Sequence, residues 1–308
     1  MKKILSTIFI ALLMSFVVGC NQEDVVENTD DQVEFGGVEV VVDKNYKPKK
    51  SSDNTPLTQL MEARTYETNV GAYTTELPYR IYVPENYDTK YKYPLVIFFH
   101  GYGERGSNNT SQLSTNFPFL PRILNEENLV NYPAIVLAPQ CPANDVWATE
   151  SYDTFNTTYD INKMKITNSM RATVNLIEEL RKEFNIDGNR IYTTGVSMGG
   201  LAALDLTARF PELIAACAPV CPAAAPAKNF DKFENISLWA FHGLKDPTIR
   251  YTVTVAMVNA INQNGGKAIK TIYDDADHTT CWLKAFVEED LLDFMFCSRK
   301  GAYNKYFE

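Results

Sequence analysis

The sequence predicts a mostly parallel α/β sheet with helices on both faces, and three observations support that prediction. Continuous apolar runs such as PLVIFF and AIVLAP are typical of strands that are covered on both sides. Segments with apolar residues at three- and four-residue spacing alternate with those runs, as helices do in such a fold. About 240 of the 308 residues follow Arg64, a length that one α/β core accommodates.

The elements can be placed in order along the chain. The stretch LPYRIYVP (77–84) alternates as a half-buried strand does. Further strands are predicted at 93–101, 132–140, 189–195, 214–220, 236–243 and 268–275, and helices at 166–184, 198–210, 251–266 and 281–296. The Pro/Ala-rich CPAAAPAKNF (221–230) predicts a surface loop. Functional loops are expected outside the carboxyl ends of the parallel strands.

The start of the chain predicts export. Lys2 and Lys3 precede a short uncharged run that ends in VVGC, and we interpret residues 1–19 as a secretory signal. This ending resembles the lipobox of bacterial lipoproteins, which implies lipidation of Cys20 and a membrane anchor in the periplasm or at the cell surface; an ordinary signal peptide is the alternative. Residues 20–63 are rich in acidic residues and poor in aromatic ones, which predicts a flexible tether before a catalytic domain at 64–308.

Charge and cysteine content exclude some classes of protein. The formal net charge of −9 and a pI near 5.0 argue against a nucleic-acid partner, because the phosphate backbone would be repelled. Beyond Cys20, five cysteines show no CxxC or Cys/His ligand spacing, so no metal site is predicted. We interpret them as buried small hydrophobic residues with room for one disulfide, whose pairing the sequence does not give: Cys141, Cys217, Cys221, Cys281 and Cys297.

A nucleophile is predicted where GVSMGG interrupts a strand and opens an apolar helix. Gly195, Ser197 and Gly199 fit G-x-S-x-G in that context, a turn so tight that the central residue is strained and its hydroxyl projects above the sheet. The alternative is a glycine-rich helix start that Ser197 merely caps. The position between strand and helix favours the nucleophile.

His278 is the predicted base of Ser197. In this arrangement the chain order is serine, acid, histidine, and His278 in DDADHTTCW is the histidine that satisfies that order. His100 precedes Ser197 and is expected to shape a neighbouring loop, whereas His242 ends a strand before the best acid. A solvated loop histidine is the alternative interpretation of His278.

Asp246 is the predicted acid that orients His278. It follows the strand SLWAFHG by a short loop and precedes Pro247, which places its carboxylate at the carboxyl edge of the sheet. The alternatives lie nearer to His278 in sequence but are expected to be solvated turn residues: Asp274, Asp275 and Asp277.

Two backbone amides are predicted to bind the oxyanion that forms when the serine attacks. Met198 follows the nucleophile directly, and Tyr102 lies in the glycine-rich loop HGYGERG after an earlier strand. A salt bridge between Glu104 and Arg105 is expected to lock that loop, and a direct role of either side chain at the site is the alternative.

Five segments in this order resemble the α/β-hydrolase serine esterases related to polyhydroxybutyrate depolymerases, feruloyl esterases and acetyl xylan esterases. They are PLVIFFHGYGERGSNN, PAIVLAPQCP, GVSMGG, LWAFHGLKDPTI and DHTTCW, within a match from about Leu77 to Phe296. The resemblance implies the α/β-hydrolase fold and cofactor-free hydrolysis of an ester on a plant polymer or a similar substrate. Some relatives are labelled peptidases of the prolyl oligopeptidase type, but the long amino-terminal propeller of such enzymes is missing here.

The sequence therefore predicts a lipid-anchored carboxylic ester hydrolase that uses Ser197, His278 and Asp246. A peptidase is the second hypothesis, and a glycan-binding lipoprotein without turnover is the third. Trp147 on a polar loop and Trp282 near His278 are predicted to face the substrate, because indole rings stack on sugar rings and phenolic groups. Packing of either tryptophan in the core is the alternative.

Overall fold

The computed structural model describes residues 56–70, 73–114, 116–148, 158–226, 228–302 and 304–307, together with the backbone of three short earlier strands. The predicted signal (1–19) and Cys20 lie outside the described residues. The chain divides into two units, Met1–Val41 and Val42–Glu308. In the first unit, strands β1 (Val26–Glu27), β2 (Gln32–Phe35) and β3 (Val38–Val41) pair antiparallel within the segment predicted to be a tether.

The second unit contains an eight-stranded sheet. Its strands are β4 (Glu62–Val70), β5 (Tyr73–Tyr82), β6 (Tyr93–Phe99), β7 (Ile135–Pro139), β8 (Ile186–Val196), β9 (Ala216–Val220), β10 (Ser237–Gly243) and β11 (Lys267–Tyr273). Their order across the sheet is β11-β10-β9-β8-β6-β7-β5-β4. The pairs β4/β5 and β5/β7 are antiparallel and the other five are parallel. This sheet, with its helices, confirms the predicted fold class.

Eight helices accompany the sheet in the described part of the chain. They are α1 (Leu57–Leu60), α2 (Phe119–Ile123), α3 (Glu126–Asn131), α4 (Asn168–Glu183), α5 (Met198–Arg209), α6 (Tyr251–Gln263), α7 (His278–Ala285) and α8 (Leu291–Phe296). None of the described helices combines the length and apolar character that crossing a membrane requires. Leu57 and Leu60 of α1 are buried in the hydrophobic core, so packed structure begins before the predicted boundary at Arg64.

Burial follows the predicted patterns in the centre of the sheet. Every residue of β6 and β7 is buried, as their continuous apolar sequences predict. Helix α4 buries one stripe at three- and four-residue spacing, formed by Met170, Thr173, Ile177 and Leu180. The centre of the sheet is therefore a rigid support for the loops that leave its carboxyl edge.

Two predicted elements differ from the structure. The single helix predicted at 281–296 is two helices, because α7 begins three residues earlier, at His278, and ends at Ala285 before α8 starts at Leu291. The segment 221–226 was predicted to lie on the surface, but all six residues are buried. The backbone amide of Ala223 donates to the carbonyl oxygen of Ser197 at 3.2 Å, so this apolar segment packs behind the turn after β8.

Candidate active site

The turn between β8 and α5 presents Ser197 in a strained conformation. Its backbone angles are φ 57° and ψ −116°, a region that residues other than glycine rarely adopt. The amide of Ser197 donates to the carbonyl oxygen of Val220 on β9 at 2.9 Å, and its carbonyl accepts from Leu201 in α5 at 3.0 Å. The neighbouring strand and the helix thus impose a conformation that the residue alone would not choose.

The glycines on either side of Ser197 are required by close packing. A Cβ atom on Gly195 would lie 2.6 Å from the carbonyl oxygen of Phe99, and one on Gly199 would lie 2.5 Å from that of His100. Both distances are too short for any side chain, and the obstacles are backbone atoms that cannot turn away. The G-x-S-x-G sequence therefore lets α5 start directly against the end of β6.

Ser197, His278 and Asp246 form one chain of hydrogen bonds. Nε2 of His278 lies 3.1 Å from Oγ of Ser197, and Nδ1 of His278 lies 2.5 Å from Oδ2 of Asp246. The Asp246 side chain is fully buried, whereas His278 keeps 15% of its side chain exposed. Three residues that are far apart in sequence thus meet at the carboxyl edge of the sheet.

Four donors surround the Asp246 carboxylate. Oδ1 accepts from the amides of Thr248 at 2.8 Å and Ile249 at 2.9 Å, while Oδ2 faces both His278 and Nε2 of His242, the latter at 3.3 Å. Burial alone would raise the pKa of Asp246, but the hydrogen bonds from His242, His278 and Ile249 outweigh burial and hold the pKa well below its usual range. Asp246 is therefore an ionised acceptor, so Nδ1 of His278 carries the proton and Nε2 is free to accept one.

His242 is a partner of Asp246 that the sequence analysis did not assign. It is fully buried, with Nε2 also 3.0 Å from the carbonyl oxygen of Ile249 and Nδ1 2.8 Å from Oγ1 of Thr254. Since both neighbours of Nε2 are acceptors, Nε2 donates, and Nδ1 pairs with the Thr254 hydroxyl. The signal in the sequence was a histidine four residues before the acid, at the end of the same strand.

The alternative acids make other contacts. Asp277 caps α7, with its side chain accepting from the amide of Thr280 at 2.8 Å. Asp275 forms an exposed ion pair with Lys284 at 2.5 Å, and Asp274 is exposed at the turn after β11. The acid that contacts His278 in the structure is Asp246.

His100 lies deep in the site with both ring nitrogens occupied. Nδ1 is 2.6 Å from the carbonyl oxygen of Gly101, and Nε2 accepts from the amide of Cys141 at 3.0 Å. Burial lowers the pKa of His100 to about 4, so the ring is neutral near pH 7. His100 therefore ties the loop after β6 to the end of β7, in agreement with the expectation that it shapes this loop.

The two predicted oxyanion residues lie along the same edge of the sheet. Phe99 of β6 pairs with Gly195 of β8, so Tyr102 and Met198 each lie three residues past that pair, beyond the ends of two adjacent parallel strands. Met198 is the first residue of α5, where backbone amides have no acceptor within the helix. Their positions agree with an oxyanion site, whose use by substrate stays a prediction.

The contacts that hold the loop after β6 differ from the predicted salt bridge. The guanidinium carbon of Arg105 lies 3.5 Å from the centroid of the Tyr102 ring, and its Nη1 donates to the carbonyl oxygen of Asp145 at 2.9 Å. The carboxylate of Glu104 bonds to the amide of Gly101, and burial raises its pKa. A cation–π contact and backbone hydrogen bonds thus take the place of the predicted Glu104–Arg105 salt bridge.

The structure contradicts the prediction that Trp147 faces the substrate. Its side chain is fully buried, and its ring packs edge-on against Phe99 with centroids 5.1 Å apart. Its indole nitrogen donates to the carbonyl oxygen of His100 at 3.3 Å. Asp145, in the same polar loop, accepts from the backbone amides of Val146 and Ser169, so its polarity supports the fold and did not indicate an exposed ring.

Trp282 lies beside the predicted base. It is half-buried one turn after His278 on α7, and it meets the imidazole edge-on with centroids 5.1 Å apart. Phe117 also packs edge-on against the Trp282 ring, with centroids 5.6 Å apart. The indole N–H is buried and has no acceptor among the described residues. Contact with a substrate stays a prediction.

Cys221, which the sequence analysis treated only as a buried thiol, lies against the same site. Its sulfur, one Asp246 oxygen and one His278 nitrogen lie within 4.8 Å of one another, a spacing that three metal ligands can have. However, His278 and Asp246 are already joined by a direct hydrogen bond, and Cys221 is a buried thiol whose pKa is raised by burial. We interpret this group as the support of His278 and assign no metal to it.

Comparison with known proteins finds a family model and solved structures to which this chain is similar. The model of the phospholipase/carboxylesterase family matches residues 87–287, more than half of the chain. A thermostable esterase of known structure is 31% identical, with a TM-score of 0.71 over 79% of this chain and 64% of that one. The chain thus spans less than two thirds of that esterase. No curated protein matches the chain.

More distant structures share the fold alone. A ferulic acid esterase from the anaerobic fungus Anaeromyces mucronatus is 16% identical, with a TM-score of 0.54 over 83% of this chain and 96% of that one. A feruloyl esterase module from Clostridium thermocellum is 15% identical, with a TM-score of 0.52 over 84% of this chain and 96% of that one.

Proposed function

The chain belongs to the phospholipase/carboxylesterase family, and we propose that it hydrolyses carboxylic esters with Ser197 as the nucleophile. The observation that supports this most directly is the hydrogen-bonded chain from Ser197 through His278 to the buried carboxylate of Asp246. A serine hydroxyl is a weak nucleophile at neutral pH unless a base takes its proton. His278 is in position to do so, and Asp246 selects the tautomer that it needs.

The proposed reaction has two stages. Oγ of Ser197 attacks the ester carbonyl while Nε2 of His278 takes the hydroxyl proton, and the amides of Met198 and Tyr102 receive the negative charge on the carbonyl oxygen. The tetrahedral intermediate collapses when His278 returns that proton to the leaving alcohol. Water then attacks the acyl-serine with His278 again as the base, which releases the acid and regenerates Ser197.

We further propose an acyl or feruloyl ester of a polysaccharide as the substrate. Two aromatic rings support this choice, because Trp282 contacts His278 and Tyr102 is 37% exposed in the proposed oxyanion loop. Flat rings of this kind stack on phenolic groups and on sugars. The distant feruloyl esterases with the same fold support the same substrate class.

The proposed location is a bacterial membrane surface, in the periplasm or outside the cell, with lipidated Cys20 as the anchor. The lipobox-like ending at Cys20 supports it. A Cys20→Ser variant is expected to leave the membrane fraction and keep its activity on small esters, as judged by fractionation and assay of the full-length protein. Lipid found on the Cys20→Ser protein would contradict the assignment.

Hydrolysis of an aryl acetate by the purified protein tests the reaction class. Wild type is expected to turn over, Ser197→Ala to lose nearly all activity, and Asp246→Asn to lose about 10³- to 10⁴-fold in kcat, because the wrong histidine tautomer is then favoured. Asp274→Asn is the matched control and is expected to be silent. Full activity of Ser197→Ala would refute the proposal, and a binding protein without turnover would show no hydrolysis in wild type.

A substrate panel tests the finer proposal. Feruloylated and acetylated oligosaccharides are compared with an aryl peptide amide at equal enzyme concentration. We expect the carbohydrate esters to have the highest kcat/KM and the amide to be a poor substrate. Preference for the amide would favour the peptidase hypothesis.

A further inference from the structure

Two buried thiols meet directly beneath the histidine of the site. Cys221 is the first residue after β9, and Cys281 lies on α7 one turn after His278. Both side chains are fully buried and both thiols are free. The Cys221 sulfur lies 3.9 Å from the carbonyl oxygen of His278, in the same first turn of α7 that carries Cys281, and the two thiols interact there.

The other two free thiols of the described residues have different neighbours. Cys141 lies 3.6 Å from the hydroxyl of Ser169, and Cys217 bonds to the hydroxyl of Thr207. Among these four free cysteines, the thiol–thiol contact therefore belongs to Cys221 and Cys281. A disulfide requires two sulfur atoms that can approach to bonding distance, so neighbouring buried thiols are the candidates for one.

We propose that Cys221 and Cys281 form a disulfide when the chain folds in an oxidising compartment, and that this bond fixes α7, with His278 at its start, to the end of β9. The bond itself does not depend on the proposed esterase function, whereas its effect on turnover rests on that function. The cross-link would join the two segments that flank the base: the buried turn behind Ser197 and the first turn of α7.

The oxidant is a low-molecular-weight disulfide or a protein thiol–disulfide oxidase. One cysteine, as its thiolate, attacks a sulfur of the oxidant and releases one thiol, which leaves a mixed disulfide on the protein. The second cysteine then attacks the protein sulfur of that mixed disulfide and expels the second thiol. In total, two protein thiols lose two electrons and two protons, and the oxidant leaves as two thiols.

Burial determines when this exchange takes place. In the folded chain neither sulfur is accessible, and burial, the contact with Cys281 and the charge of Asp246 raise the pKa of Cys221 well above its usual value. The Cys221 thiol of the folded chain is therefore a poor nucleophile. The bond must form while the chain folds, and a chain folded under reducing conditions should retain both thiols.

The bond is expected to stabilise the site without altering its chemistry. It would close a loop of about 60 residues and so restrict the unfolded chain, as cross-links of that span do. Because Cys221 already lies against the turn of α7 that carries Cys281, the positions of His278 and Asp246 should change little on oxidation. The oxidised protein is expected to keep kcat within about twofold and to lose activity at a temperature several degrees higher than the reduced protein.

Peptide mapping tests the bond directly. The full chain is secreted into the periplasm of a bacterial host, its free thiols are alkylated, and the protein is digested with trypsin without reduction. The expected product links peptide 210–228, which holds Cys217 and Cys221, to peptide 271–284, which holds Cys281. The link should persist in Cys217→Ala, disappear in Cys221→Ala and be absent from protein folded in the cytosol.

Two results would overturn the proposal. The first is soluble, folded protein from the periplasm in which Cys221 and Cys281 are both alkylated. The second is a link that joins Cys281 to Cys217, detected by its loss in Cys217→Ala. The effect of the bond on stability is then measured by heating the linked protein before and after reduction with a phosphine. Peptide mapping needs no turnover, so the mapping result stands even if Ser197→Ala refutes the esterase proposal.

Discussion

Two histidine–tryptophan pairs lie at the carboxyl edge of the sheet, and they have opposite characters. His278 and Trp282 meet edge-on at 5.1 Å, and His100 and Trp147 meet at 5.3 Å. In the first pair both residues are partly exposed, and Nε2 of His278 faces a serine hydroxyl. In the second pair both residues are fully buried, and their ring nitrogens bond to neighbouring backbone groups.

The difference shows that residue type does not separate a reactive group from a supporting one. His100 and Trp147 use their polar atoms to hold loops together, so none of those atoms remains for a substrate. His278 has one nitrogen fixed by Asp246 and the other directed at Ser197. What distinguishes the pairs is the set of hydrogen-bond partners, which only the folded chain defines.

The largest expected effect on activity comes from a change in the partly exposed pair, His278 and Trp282. His278→Ala removes the proposed base and is expected to lower kcat/KM for an aryl acetate by about 10⁴-fold or more. The melting temperature should change little, because the buried Asp246 carboxylate keeps Nε2 of His242 and the amides of Thr248 and Ile249 as donors. Thr279→Ala, an exposed neighbour on the same helix, is the matched control in both measurements. A His278→Ala enzyme with near-normal turnover would remove the contrast between the pairs.

A change in the fully buried pair, His100 and Trp147, should lower the free energy of unfolding. Trp147→Ala leaves a cavity against Phe99 and His100, and we expect a loss of about 3–5 kcal/mol in the free energy of unfolding, measured by denaturant titration. Under conditions where the variant stays folded, the ratio of kcat/KM between a feruloyl ester and an aryl acetate should equal that of wild type. A selective loss on the feruloyl ester would mean that Trp147 contacts substrate after all.

His100 should make the stability depend on pH. Its pKa is about 4 in the folded protein and about 6.5 in an unfolded chain, so between these values the unfolded state binds the extra proton. This contribution is therefore complete above about pH 6.5 and falls with decreasing pH, by about 3 kcal/mol in total at pH 4. The unfolding free energy of His100→Gln should vary less over that range, and an unchanged slope would contradict this assignment.

The smallest effect is expected at Trp282. Trp282→Leu removes the ring beside His278 and should raise KM for a feruloyl ester by several-fold, with little change for an aryl acetate. Trp282→Phe keeps an aromatic ring and is expected to restore much of the difference. Equal decreases of kcat on both esters would instead assign Trp282 to holding His278 in place.

The sequence by itself determined the alternation of strands and helices, the sharp turn at Ser197 and the order of serine, acid and histidine along the chain. These features depend on local patterns, namely apolar periodicity and the glycines that a tight strand-to-helix turn needs. The choice of Asp246 over Asp277 also came from local reasoning, because a short loop after a strand directs a carboxylate to the sheet edge. The structure places Asp277 at the helix cap instead.

Only the tertiary structure decided which residues around that framework are covered. Trp147 is buried because Phe99 and His100, nearly 50 positions earlier, pack against it, and no feature of its own polar loop reveals them. Likewise, 221–226 is buried because it passes behind Ser197, and Cys221 meets Cys281 across 60 residues of chain. Burial and hydrogen-bond partners are properties of contacts between distant segments, so they follow from the packing of the sheet and not from any one stretch of sequence.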